Sequence, residues 1–104
     1  MSLDFYLQRV QPTDVFDANI THNLSKMWSE AGCYKALYQS EGKTAQEVLP
    51  DLLKALDDME RRPEYFRQFD AHNGWGTYEH ALPWLRKLVD ACNEYPDATI
   101  RVSK

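Results

Sequence analysis

Two short segments, one at each end of the chain, alternate between apolar and polar residues. The apolar positions are odd-numbered over residues 3–7 and even-numbered over residues 98–102. A period of two residues is typical of a strand with one buried face. Because an isolated strand leaves its backbone groups unpaired, we predict that these strands pair with each other in an antiparallel sheet. A third strand around residues 14–16 can join them.

The region after the first strand carries the spacing of helices, with apolar residues three and four positions apart. This spacing predicts a first helix over residues 21–31, and Gly32 suits its C-terminal turn. Residues 33–38 then form a short apolar passage.

Three further helices have recognisable start signals. Thr44 with Glu47 three residues later is a capping box, and we interpret the apolar residues of the helix that follows, Leu53 among them, as a buried stripe. Pro63 suits the first position of a short helix, and Thr77 can cap the last long helix. We therefore expect an α+β fold that is mainly helical, with three to four helices packed on a small antiparallel sheet.

Length and composition agree with one compact domain over residues 1–104. The chain is 43% hydrophobic and 27% charged, as in an ordinary globular protein. A chain of this length buries enough surface for one modest core and leaves no room for a second domain.

Charge and cysteine content exclude several classes of function. The net charge is -4 and the twelve basic residues are scattered, so we expect no binding to duplex nucleic acid. The two cysteines lack the spacing of a metal site and are interpreted as buried thiols. The start of the chain does not resemble a signal peptide and no apolar run would span a bilayer, so we expect a cytoplasmic protein that does not enter a membrane.

The first candidate site is a polar cluster formed by Asn19, Thr21, His22 and Asn23. We interpret this cluster as the first turn of a helix, where free backbone amides favour a polar or anionic ligand. The alternative is that Asn19 or Thr21 only caps the helix while His22 bonds a neighbouring carbonyl group.

The second candidate site is the segment from Asn73 to Thr77, in which Trp75 lies between two glycines. The glycines free the backbone and hold the indole on a loop. Trp75 then either covers the edge of the core or forms the wall of a pocket. If the two clusters are neighbours in the fold, they make one concave site.

Signals for catalysis are weak. The chain has no nucleophile elbow, and its histidines lack the spacing of a helical metal pair. We expect no catalytic residue set, no metal site and no cofactor.

Several spaced motifs together resemble a family of small proteins of phages and bacteria to which no established activity is attached. The resemblance spans about residues 14–103 and implies a phage or prophage setting, in which such proteins often bind a host protein or a signalling molecule. The motifs are Asn-Ile-Thr-His-Asn-Leu at 19–24, Glu-Ala-Gly-x-Tyr at 30–34, Asn-Gly-Trp-Gly-x-Tyr at 73–78, Ala-Cys at 91–92 and Tyr-Pro-Asp-Ala at 95–98.

The leading hypothesis is a non-catalytic binding protein that holds a small polar or anionic ligand, or a loop of a partner protein, between the two clusters. One alternative is a small enzyme that uses His22 as a general acid or base. The other is an oligomeric structural or interaction module, which needs only an exposed apolar patch.

Overall fold

The computed structural model describes residues 2–9 and 14–104. Within these residues the chain has an α+β fold, mainly helical, with a three-stranded antiparallel sheet, so the predicted fold class is confirmed. The strands are β1 (Ser2–Gln8), β2 (Asp14–Thr21) and β3 (Thr99–Ser103). The helices are α1 (Ser25–Ala31), α2 (Tyr34–Tyr38), α3 (Ala45–Arg61), α4 (Pro63–Arg67) and α5 (Tyr78–Glu94), and a 3-10 turn, His22–Leu24, precedes α1. The expected domain of residues 1–104 also includes Met1 and residues 10–13, which lie outside the described residues.

The sheet has the order β2-β1-β3, so the N-terminal strand lies in the centre. Phe5 is opposite Val102 and Leu7 is opposite Ile100. The odd-numbered apolar residues of β1 are fully buried in the core, which also contains Ile100. The predicted pairing of the two terminal strands is therefore confirmed.

The second strand is longer than the sequence pattern predicted. It continues to Thr21, which is opposite Ser2, and places Asn19 opposite Asp4. Asn19 therefore belongs to a strand, and its assignment to the first turn of a helix is wrong. Thr21 is the last residue of the strand and, as one interpretation of the sequence held, the N-cap of the turn that follows. Both residues have extended backbone in the pair with β1, so they do not form the helical turn whose first amides would be free.

The outer edge of β3 is covered by the segment that leads into α3. The Gly42 N–H donates to the Ile100 carbonyl at 2.8 Å, and the Ile100 N–H donates to the Lys43 carbonyl at 2.8 Å. Further along, the Val102 N–H donates to Glu41 Oε1 at 2.6 Å. These bonds use ladder groups that would otherwise be unpaired at a sheet edge.

The start of α3 agrees with the predicted capping box, because the Thr44 N–H donates to Glu47 Oε2 at 2.8 Å. Leu53 is 44% exposed, so its place in the buried stripe is wrong. It lies beside the row that α3 buries, which consists of Ala45, Val48, Leu52, Ala55 and Met59.

The first half of the helical region is more divided than expected. The predicted helix over residues 21–31 is the 3-10 turn followed by α1, and Gly32 ends it with a φ of 87°. Residues 34–38, expected only as an apolar passage, form α2. In the part of the chain that the structure describes, no helix is long and apolar enough to cross a membrane.

Candidate functional site

The two polar clusters lie in contact at one end of the sheet. The side-chain amide of Asn23 donates to the Trp75 carbonyl at 2.7 Å. A groove of about 510 Å³ opens at this junction, within the size range of small-molecule sites. We call it the Trp75 groove; its lining consists of Ser2, Asn19, Thr21, Asn23, Asn73 and Trp75.

Gly76 allows the two segments to approach this closely. A Cβ atom at this position would lie 3.1 Å from Asn23 Cβ, 3.2 Å from Thr21 Cγ2 and 3.3 Å from Leu24 Cγ. The φ of Gly76 is 124°, a backbone conformation that residues with a side chain rarely adopt. The junction therefore depends on a glycine for both space and backbone conformation.

Trp75 is held by its backbone, and its indole faces solvent. Its N–H donates to Asn73 Oδ1 at 2.9 Å, and its carbonyl accepts the amide of Asn23. The residue is 72% exposed, so it does not cover the edge of the core, and that alternative is wrong. The other two tryptophans pack against each other, with 5.7 Å between the ring centroids of Trp28 and Trp84.

The floor of the groove comes from the ends of β1 and β2. The Asn19 amide donates to Ser2 Oγ at 3.0 Å and to Asp4 Oδ1 at 2.6 Å. Thr21 Oγ1 accepts the backbone N–H of Asn23 at 3.2 Å, so Thr21 caps the 3-10 turn. Ser2 did not belong to the predicted site; its position opposite Thr21 in the sheet brings it there.

His22 does not line the groove. Its Nδ1 lies 3.0 Å from the hydroxyl of Tyr38, and the two ring centroids are 5.5 Å apart. Burial raises the pKa of Tyr38, so this hydroxyl stays protonated at neutral pH. The structure therefore brings Asn23 together with Asn73 but places the imidazole of His22 against a different part of the molecule.

Thr77 occupies the N-cap position of α5 but does not cap the helix with its side chain. Its Oγ1 lies 3.2 Å from Nδ1 of His80. The backbone N–H of Tyr78 is instead bound by Asp70 Oδ1 at 2.7 Å. Sequence reasoning missed Asp70, because its position eight residues before Tyr78 matches no local capping pattern.

A second groove, of about 410 Å³, lies between the end of α1 and the surface of α3. Three of its charged side chains form ion pairs: Arg61 contacts Asp57 at 3.1 Å, and Asp58 contacts Arg62, the residue after α3, at 2.7 Å. Among the described residues, no group of three histidine, cysteine or acidic side chains could hold a metal ion.

Comparison of the chain with protein-family models, with curated proteins and with solved structures found no match. The resemblance to small phage and bacterial proteins stays a prediction. We therefore infer the function from the geometry of the Trp75 groove.

Proposed function

We propose that this protein is a non-catalytic binding protein that holds a small polar or anionic ligand, or a loop of a partner protein, in the Trp75 groove. The phage or prophage setting, with a host protein or signalling molecule as the partner, belongs to the same proposal. The main observation in its support is that Trp75 is 72% exposed and lines the groove together with amide and hydroxyl side chains. Binding sites typically combine an apolar surface with a few fixed polar groups.

The fixed backbone of Trp75 supports binding in a prepared site. Asn73 Oδ1 accepts a hydrogen bond from the Trp75 N–H, and the Asn23 amide donates one to the Trp75 carbonyl, so the loop is positioned before any ligand arrives. Affinity increases when the groups that contact a ligand are ordered in advance, because less conformational entropy is lost on binding.

The chemistry of the lining supports binding over catalysis. Its side chains are amides, hydroxyls and one indole, none of which gains or loses a charge near neutral pH and could act as a general acid or base. The enzyme hypothesis requires His22 to point into an open cleft in which Asn23 or Asn73 orients a substrate. His22 does not line the groove, and its Nδ1 lies 3.0 Å from the hydroxyl of Tyr38.

Isothermal titration calorimetry tests this proposal with four probes: inorganic phosphate, AMP, glucose and a neutral glucose tetrasaccharide. The wild type is compared with Trp75→Ala and with Leu53→Ala, which removes the other exposed large hydrophobic side chain among the described residues. We expect at least one probe to bind the wild type and Leu53→Ala equally and Trp75→Ala at least tenfold more weakly. Equal binding by all three proteins would contradict the assignment of the site to the Trp75 groove, and binding by no probe would contradict the proposal of a small ligand.

A further inference from the structure

The orientation of the three asparagine amides in the Trp75 groove is fixed by their partners. The carbonyl of Trp75 can only accept, so Nδ2 of Asn23 points to it. The backbone N–H of Trp75 can only donate, so Oδ1 of Asn73 points to it. The carboxylate of Asp4 accepts from Nδ2 of Asn19. The atom of each amide that is left to face the groove is therefore also determined.

These bonds leave a mixed set of groups without partners among the described residues. The free acceptors are Oδ1 of Asn19 and Oδ1 of Asn23, and the free donor amide is Nδ2 of Asn73. The hydroxyls of Ser2 and Thr21 each accept one bond and keep a proton to donate. A ligand that satisfies this set has to donate and accept hydrogen bonds at neighbouring positions.

The electrostatics of the groove disfavour an anion. No lysine, arginine or histidine belongs to its lining, and the carboxylate of Asp4 accepts the amide of Asn19 at its floor. His80 lines the smaller cavity on the other side of Trp75. The ionised oxygens of a phosphate group only accept hydrogen bonds, so they would face the free oxygens of Asn19 and Asn23 without a compensating cation. The net charge of -4 acts in the same direction.

We propose that the Trp75 groove takes an uncharged saccharide. This inference rests on the proposed function and narrows its ligand from any polar or anionic molecule to a neutral polyhydroxylated one. Each sugar hydroxyl both donates and accepts, which matches the mixed set around Asn19, Asn23 and Asn73. The C–H face of a sugar ring is apolar and packs on the exposed indole of Trp75. A small polar ion would leave this indole exposed to water.

Nuclear magnetic resonance of the three indole N–H groups tests this inference on the intact protein. Trp75→Phe identifies the Trp75 signal, and the fully buried Trp28 is an internal control. The probes are neutral tetrasaccharides of glucose and of N-acetylglucosamine, inorganic phosphate and AMP. We expect a tetrasaccharide to shift the Trp75 signal and to leave Trp28 unchanged, while phosphate and AMP at the same concentration shift neither.

A variant that lacks one polar group of the groove distinguishes hydrogen bonding to the saccharide from stacking on Trp75 alone. Asn19→Ala removes a free acceptor at an exposed position, and we expect it to weaken saccharide binding at least fivefold, whereas Leu53→Ala leaves it unchanged. Unchanged affinity of Asn19→Ala would overturn the assignment of the polar set. If phosphate or AMP shifts Trp75 and the saccharides do not, the saccharide inference fails while the proposed function stands. If no probe shifts Trp75, the saccharide inference fails, and so does the proposed function in its small-ligand form.

Discussion

Replacement of Gly76 by alanine tests how the two polar segments are joined. Gly76 has a φ of 124°, and an added Cβ would lie 3.1 Å from Asn23 Cβ and 3.2 Å from Thr21 Cγ2. Both neighbouring atoms belong to short side chains next to the backbone, so they cannot move aside freely. Gly74 is a matched control, because its φ of 77° is also positive but an added Cβ would meet nothing within 4 Å.

The expected magnitude follows from two effects on the native state. A φ of 77° costs an alanine at Gly74 about 1–2 kcal/mol, and a φ of 124°, outside the left-handed helical region, costs one at Gly76 about 1–3 kcal/mol. Overpacking of the close contact at Gly76 costs about 1–3 kcal/mol more. The smaller entropy of the unfolded alanine chain offsets about 0.4–1 kcal/mol in either variant. We therefore expect Gly76→Ala to lower the free energy of unfolding by about 1–5 kcal/mol, and Gly74→Ala by about 1 kcal/mol.

Urea denaturation at 25 °C, followed by circular dichroism, measures both free energies. A total stability of about 5–15 kcal/mol leaves room to measure a loss of this size. If the two alanine variants differ by less than about 0.5 kcal/mol, the close approach at Gly76 does not constrain the junction, and the reasoning is refuted.

Three more predictions concern the last helix, the edge of β3 and the thiols. Asp70→Ala removes the side-chain acceptor of the first amide of α5 and should lower the free energy of unfolding by about 1 kcal/mol. Thr77→Ala should lower it less, because Thr77 does not cap the helix with its side chain. Urea denaturation that shows the reverse order would contradict this. The hydrogen bond that the Val102 N–H donates to Glu41, together with the one from Arg101, holds the pKa of the Glu41 carboxyl below its ordinary value of 4.5. The ionised Glu41 therefore stabilises the fold above about pH 4.5, and this stabilisation is lost as the pH falls through the pKa of the folded state. Glu41→Gln should therefore lose less unfolding free energy on acidification than the wild type, and equal acid dependence would exclude the effect. Burial raises the pKa of Cys33 to about 12 and that of Cys92 to about 11, so a thiol reagent at pH 8 should label them only in denaturant; rapid labelling of the native protein would show that they are accessible.

The elements that the sequence predicts well have local causes. The alternation at both chain ends depends on which face of a strand is buried, and the pairing of Thr44 with Glu47 depends on three residues of spacing. The C-terminal turn at Gly32 needs only a residue that tolerates positive φ. In each case the physical requirement involves residues close together in the chain.

The length of β2 was missed although the sequence carries a signal for it. Asp17 and Asn19 are exposed, whereas Ala18 and Ile20 are partly buried, which is the two-residue period of a strand. The density of polar residues around Asn19 favoured a helix start instead. The position of Leu53 has a different cause, since the width of the buried stripe on α3 depends on where its neighbours pack.

The meeting of the two polar clusters is a property of the tertiary structure. Asn23 and Trp75 are 52 positions apart, and no local pattern determines their distance. The two glycines beside Trp75 indicated an unusual loop, but the contact of Gly76 with Thr21 follows only from the packed arrangement. The separation of His22 from this groove is likewise determined by its contact with Tyr38.

The central claim is that two segments distant in sequence form one ligand site. The amide ¹H–¹⁵N spectrum of the wild-type protein, recorded with and without the probe that binds best, tests it most directly. We predict that the chemical-shift changes caused by the probe are largest at Ser2, in residues 19–23 and in residues 73–77 together. Shifts confined to only one of these segments, or centred on the groove beside Asp51 on α3, would contradict it.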